Sequence, residues 1–211
     1  MASDARLIEQ PLAAAIGSGL PINEPMGNLI VDVGGGTTET ALISMGGVVA
    51  LEAVRVGSFD IDSAIQNYVK NEFGVAIGER TAEEIKLTIG SAAPYEGELR
   101  AEVRGRHIAS GLPEVIVVTP SEIRDAIDES VSAMIDSATS CLSQAPPELA
   151  QDIIVQGINL VGGGSLLKGF DKRLSEETDV PVNIVPNALE AVVLGAGRCI
   201  ESFESVRAMF M

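Results

Sequence analysis

The 211 residues carry 30 acidic against 14 basic side chains, a formal net charge of −16, with 46% hydrophobic and only 3% aromatic content. That balance supports a packed globular protein with an aliphatic core rather than a disordered chain. It excludes binding through nucleic-acid phosphates and adhesion by charge to an anionic membrane, because both need a basic surface. Residues 7–16 predict a short helix, with Leu7, Ile8, Leu12 and Ala15 on a helical period and Pro11 tolerable only in the first turn or at a kink. A loop rich in Gly and Pro leads to three strands: 29–33, nearly all apolar, then 38–45, then 48–56 after the Gly46-Gly47 turn.

After Gly57 the period becomes helical and places Ile61, Ala64, Ile65, Tyr68 and Val69 on one face. A second helix covers about 81–89, opened by Thr81-Ala82-Glu83-Glu84 at the spacing of a capping box. Residues 98–105 read as a polar alternating strand and 114–118 as a buried one. Thr119-Pro120-Ser121-Glu122 supplies a cap, a first-turn proline and a glutamate three residues on, and starts the longest helix, about 120–142. Pro146-Pro147 opens another short helix. A strand over 158–161 runs into Gly162-Gly163-Gly164 and a helix over 165–177, and a strand over 182–185 and a helix over 188–200 close the pattern. The class is α/β, with the block 61–151 inserted between two strand-rich pieces.

Two apolar strands end in triple glycines, in DVGGGTTE and LVGGGSLLKG. In the second, the glycines are expected to meet a helix N-terminus, which favours an anion; in the first, the turn itself must present its N–H groups. Asp32 at the mouth of the first turn makes sense beside phosphates only with a cation such as Mg²⁺ between them, and Thr37 and Thr38 add hydroxyls. Taken singly, each loop is equally a Gly-rich hairpin or a helix cap; the pair is more specific, although neither is a Walker A loop or a GxGxxG fingerprint. Glu83 and Lys86 share a helix face at i, i+3, which also suits an ordinary solvated ion pair. Cys141 and Cys199 lack CxxC spacing and read as inert core residues, and His107, the single histidine, reads as a surface residue, so no metal-ligand cluster is present. A polar first ten residues and no apolar run of spanning length give the expectation of a soluble, cytoplasmic protein.

DVGGGTTE, RVGSFDIDSAI, GERTAEEIKLTIGSA, LVGGGSLLKGFDKRLSEETDVPV and LIEQPLAAAIGSGLP together resemble the MreB family of bacterial actins, over nearly the whole chain from Leu7. The resemblance implies an actin-like ATPase fold of the ribonuclease H-like kind, here its second lobe with a mostly helical inserted subdomain. It implies a core of 28–60 and 152–187, an inserted small subdomain of 61–151, a helix and loop of 1–27 belonging to a first lobe, and a C-terminal helix of 188–211 packing on that lobe. It also implies ATP or ADP with Mg²⁺ as ligands. Gly34, Gly35 and Gly36 match the second phosphate loop, with Thr38 beside it and Asp32 near the metal. Thr37 matches a catalytic threonine that helps place the attacking water. Glu83 and Lys86 match a helix contacting ribose and adenine, and Gly162, Gly163 and Gly164 match the adenosine loop. The implied function is a cytoskeletal filament protein in cell-shape determination. Its implied partners are further copies, a first-lobe partner or full-length relative, and the membrane cell-wall machinery, with peripheral location at the inner membrane face through those partners.

Two departures stand out. At Ser58-Phe59-Asp60 the family usually has Gly-Asp-Lys, and Leu87 stands where a second lysine is common; both subtract positive charge from a polyanion site, so weaker ATP binding is expected. About a third of the family length, with the first phosphate loop and a glutamate that polarises water, has no counterpart ahead of residue 7. Half a nucleotide site, slow hydrolysis and bare apolar faces on helices 7–16 and 188–200 are therefore expected. The alternative function is a non-catalytic scaffold or filament-regulating module built on the same lobe.

Overall fold

The computed structural model describes residues 6–97, 99–201 and 209–210. Its main sheet grows from an antiparallel meander of β1 (Asn28–Val33), β2 (Thr38–Ser44) and β3 (Gly47–Val54). β7 (Ile158–Val161) joins the free side of β1 in parallel, and β8 (Val182–Ile184) joins β7, giving the order β3-β2-β1-β7-β8. Every residue of β1 is buried, as a strand covered on both faces must be. Its alternation sends Leu29, Val31 and Val33 into one core layer and Ile30 into the other.

The first layer is filled by α2 (Ser58–Phe73), α4 (Pro120–Ser143) and α6 (Phe170–Thr178), through side chains such as Ile61, Ile65, Ile127, Met134 and Phe170. Of these, α4 lies directly against β2 and β3. Its start is fixed as its sequence predicts, with Thr119 and Glu122 bonding reciprocally as a capping box and Pro120 in the first turn. α5 (Pro147–Gln156) precedes β7. A second sheet, ordered β4 (Val75–Ala76), β5 (Ala101–His107) and β6 (Pro113–Val118), continues the same core layer together with α3 (Glu79–Ile89).

The second layer is closed by α1 (Gln10–Ser18) and α7 (Ala191–Glu201), which cross each other tightly. A Cβ on Gly17 would run into the Ala191 carbonyl, and one on Gly195 into that of Ala13. Leu12, Ala14 and Ala15 of α1 and Ala191 of α7 bury against Ile30, Ala41 and Ile43 of the sheet. This corrects the expectation of a bare apolar face for α1, which the second face of the sheet covers; α7 packs chiefly on α1 and leaves Val193, Leu194 and Ile200 exposed, as expected for that helix.

Other expectations are corrected in detail. α1 starts at Gln10 rather than Leu7, because Pro11 belongs in the first turn, and it stops at Gly19 in the left-handed region. α3 starts at Glu79 after Gly78, so Thr81 already lies inside the helix and is no cap. β5 begins at Ala101, and Glu98, the expected strand start, lies outside the described residues. β6 is buried on one side only: Ile116 and Val118 face the core while Val115 and Val117 are exposed, as in a sheet with one solvated face. After Gly162 the chain forms a short 3-10 turn, Gly163–Leu166, and α6 begins only at Phe170, so no α-helix N-terminus meets the second glycine loop. The last helix is likewise a 3-10 turn at Ala188–Glu190 followed by α7; residues 1–5, 202–208 and 211 of the expected terminal segments lie outside the described residues.

Candidate functional site

β1 and β7 run side by side in parallel, with Asp32 paired to Val161, so their carboxyl ends open at one edge of the sheet. Open α/β sheets place ligands at such an edge. The first glycine turn sits there. The Gly34 N–H donates to the Thr37 carbonyl at 2.8 Å and closes the hairpin around Gly35 and Gly36. None of these three glycines has a left-handed backbone; space is tight for a Cβ at Gly35 and Gly34, whereas one at Gly36 would meet nothing within 4 Å.

The start of α2 is seated on that turn. Ser58 N–H donates to the Gly34 carbonyl at 3.0 Å and Phe59 N–H to the Gly35 carbonyl at 2.8 Å. A Cβ on Gly57 would stand 2.5 Å from the Gly35 oxygen, and one on Gly35 would stand 2.7 Å from the Phe59 ring. In a trans peptide the carbonyl and the following N–H point opposite ways. With both carbonyls turned to α2, the N–H groups of Gly35 and Gly36 point away from it, and among the described residues neither has an acceptor. Two adjacent, similarly directed donors are what an anion needs from a backbone turn.

The second glycine loop forms the floor. Gly162, at φ +83°, is pressed against the end of β1, where a Cβ would collide with the Val33 carbonyl, and its N–H donates to the Ala188 carbonyl at 2.8 Å. Gly164 abuts the Val33 side chain, and Ser165 Oγ donates to the Gly162 carbonyl at 2.7 Å.

Between these loops, α3 and α7 lies a cavity of about 700 Å³, within the usual range for small-molecule sites. Asp32, Gly34, Gly35, Glu83, Lys86 and Gly162 to Gly164 line it together. Gly36 is the exposed tip of the turn and Thr37 is half-buried beside it, and neither lines the cavity. Thr38 is fully buried and donates its hydroxyl to the Val56 carbonyl at 2.8 Å, which makes it a strand residue and corrects its expected place in the site. Asp60 also stays out of the cavity: its carboxylate accepts from the Gly57 N–H at 2.8 Å and caps α2. Leu87, exposed, does line it.

Several further residues border the site. Gln10 Nε2 donates to Asp32 Oδ2 at 2.9 Å. Burial pushes the Asp32 carboxyl above its ordinary value, and the Gln10 hydrogen bond opposes this. The carboxyl of Glu39, on β2 opposite Asp32, is raised by burial and then by Asp32 and Glu9. Asp62 is bonded to Lys86; its carboxyl is raised by burial, held back by Lys86, and raised further by Glu83 and Glu79. Phe59 and Ser58 form part of the wall, and Lys168 lines the cavity with its ammonium 3.9 Å from the centre of the Tyr95 ring. Gln10 stands inside LIEQP, and that motif was its only signal.

Among the described residues no group of three or more His, Cys, Asp or Glu side chains is placed to hold a metal. Asp32 alone suits a Mg²⁺ ion that takes its remaining ligands from phosphate and water. Cys141 is buried with its thiol pushed up to about 11, and Cys199 is raised by burial, so neither offers a thiolate. His107 holds a surface turn through Ser110. No described helix is long and apolar enough to cross a membrane.

A family model described as MreB/Mbl protein matches residues 1–208. The cell shape-determining protein MreB of Escherichia coli K12 is 46% identical over 198 residues, 94% of this chain and 57% of that protein. The cell shape-determining protein Mbl of Bacillus subtilis 168 is 41% identical over 200 residues, 95% of this chain and 60% of Mbl. The crystal structure of MreB5 of Spiroplasma citri bound to ADP superposes with a TM-score of 0.89 at 36% identity, covering 93% of this chain and 60% of that one. A MamK double helical filament, at 20% identity and a TM-score of 0.70 over 92% of this chain and 59% of that one, shares the fold. The chain thus spans about 57–60% of the length of these two curated relatives.

Proposed function

The chain belongs to the MreB/Mbl family of actin-like proteins, and from that premise we propose that its cavity binds ADP or ATP as the nucleotide-bearing lobe of a cell-shape-determining filament protein. The observation that carries this is the convergence at the β1 and β7 ends: Gly34, the Gly35 donor, the Gly162 floor, Asp32, Glu83 and Lys86 around one cavity, with the Gly36 donor beside it at the tip of the turn. The MreB5 structures of Spiroplasma citri bound to ADP and to AMPPNP support the same ligand class.

In this reading the Gly35 and Gly36 N–H groups hold phosphate oxygens and α2 keeps them aimed. Asp32, oriented by Gln10, would hold a Mg²⁺ ion, which would supply charge neutralisation for the phosphates. Glu83 and the aliphatic stem of Lys86 border the sugar and base end, over the Gly162 to Gly164 floor, while the Lys86 ammonium is tied back to Ser58 beside the phosphate turn. Thr37 helps place a water, but it stands off the cavity, and hydrolysis by these 211 residues alone is slow or nil. The core is 28–60 with 152–187, and 61–151 is the inserted subdomain. Family membership supports extending this proposal to self-association into filaments, work with the membrane cell-wall machinery and a cytoplasmic site at the inner membrane face.

The second reading, a non-catalytic scaffold or filament-regulating module, is favoured by two features: the Phe59 ring rests on the phosphate turn, and Lys86 is already committed to Asp62. Equilibrium binding of ADP and ATP with Mg²⁺ to the 211-residue chain separates the two. Micromolar dissociation constants support the nucleotide reading; no binding at millimolar nucleotide refutes it.

A further inference from the structure

The wall between α2 and α3 holds a buried ion pair. Lys86 Nζ donates to Asp62 Oδ2 at 2.9 Å and to the Ser58 carbonyl at 3.2 Å, with the two side chains only 9% and 11% exposed. Lys86 faces the cavity. Asp62 faces a second groove between the same helices, lined also by Glu79 and Glu83, and its Oδ1 is buried without a partner. Ser58 joins the pair to the phosphate turn, since its carbonyl receives Lys86 while its N–H donates to Gly34.

We propose that Asp62 is a positioning residue that sets how the cavity treats phosphate: it cancels the Lys86 charge and ties the ammonium back to the first turn of α2. The cavity then grips a nucleotide by shape and backbone donors rather than by a lysine clamp. The inference rests on the nucleotide reading of the cavity. Its physical basis is charge in a poorly hydrated wall. Asp32, Glu83 and Asp62 oppose Lys86 and Lys168, and Lys168 is drawn over the Tyr95 ring. Neutralising Asp62 frees one positive charge beside Ser58, one residue from Gly57 and the turn it supports, where charges interact far more strongly than in water. Sequence spacing hides the pair, because its members lie 24 residues apart on different helices.

The test is calorimetric binding of ADP and AMP, each with Mg²⁺, to four proteins: the unaltered chain, Asp62→Asn, Lys86→Met and the double variant, with folding checked by circular dichroism. Asp62→Asn is expected to bind ADP about tenfold more tightly, to favour ADP over AMP more strongly, and to lose affinity more steeply as salt rises. Lys86→Met is expected to bind about tenfold more weakly, and adding Asp62→Asn to it recovers most of that loss, because the uncancelled Asp62 carboxylate repels phosphate and its amide replacement does not. A folded Asp62→Asn within twofold of the unaltered chain in affinity and salt slope overturns the inference. If Asp62→Asn alone does not fold, the other pair decides: a double variant no tighter than Lys86→Met overturns it, and a tighter one supports it. No binding by any of the four at millimolar ADP refutes the nucleotide reading itself, a different result from binding that ignores Asp62.

Discussion

Gly57→Ala probes whether α2 aims the phosphate turn. Gly57 has φ −151°, an extended conformation open to any residue, so alanine costs nothing in backbone strain there. What it meets is backbone: its Cβ would lie 2.5 Å from the Gly35 oxygen, 2.6 Å from the Gly35 carbonyl carbon and 2.7 Å from the Gly36 nitrogen. Ordinary contact begins near 3.4 Å, so the turn and the helix must separate by about 1 Å, and neither side is a flexible side-chain end that can swing aside. Overpacking of this kind costs about 1–3 kcal/mol, and a misplacement of about 1 Å at a binding constellation costs on the order of a hundredfold in performance. The prediction is a loss of about 2 kcal/mol in urea unfolding with a ten- to hundredfold weaker ADP dissociation constant, roughly. Gly197→Ala is the control, at an exposed position in α7 where a Cβ meets nothing within 4 Å. It should stabilise the fold by about 0.5–1 kcal/mol and leave ADP binding as it was. A folded Gly57→Ala chain that binds ADP like the unaltered one would refute the idea that contact with α2 directs the Gly35 and Gly36 donors.

The same geometry fixes three further outcomes. Because burial raises the folded-state Asp32 carboxyl above its ordinary 3.8, the folded chain holds its proton to higher pH than the unfolded chain. Its ionisation therefore withdraws stability as pH rises through the folded value; Asp32→Asn should unfold at higher urea than the unaltered chain at pH 7, with the gain vanishing towards pH 4, while Mg²⁺-dependent nucleotide binding is lost. Gly195→Leu, forcing a side chain into the Ala13 carbonyl at the α1–α7 crossing, should cost about 3 kcal/mol or more, seen as a melting temperature lowered by several degrees in a scan. Cys141, buried with its thiol at about 11, should react with Ellman's reagent at pH 8 only as fast as the protein unfolds; rapid labelling of the native chain would contradict its place in the core.

The elements that were legible in the sequence are those with a strong local rule. β1, β2 and β3 follow from apolar runs divided by glycine turns, and α4 from a reciprocal Thr119–Glu122 cap. Where two local rules competed, the position slipped: Pro11 pulled the start of α1 to Gln10, and Gly78 took the cap that Thr81 promised. The 3-10 turn after Gly162 was hidden because a triple glycine ends a strand without specifying the next element. In the site, the glycines and Asp32 announced themselves because glycine runs at strand ends are conspicuous. Thr38 did not reveal that its hydroxyl turns to Val56, since side-chain direction in a twisted hairpin is settled by pairing. Gln10 and Asp62 escaped for a simpler reason: their partners, Asp32 and Lys86, are 22 and 24 residues away. Only tertiary packing brings such pairs together.

Phosphate must land on the first glycine turn if the cavity is a nucleotide site. The most direct measurement is the ¹H–¹⁵N amide spectrum of the 211-residue chain titrated with ADP and Mg²⁺, read at the glycines. Saturable shifts at Gly35 and Gly36, and at Gly162 on the floor, with Gly111 in the distant β5–β6 turn unmoved, are predicted. Saturable binding that leaves Gly35 and Gly36 in place would contradict it.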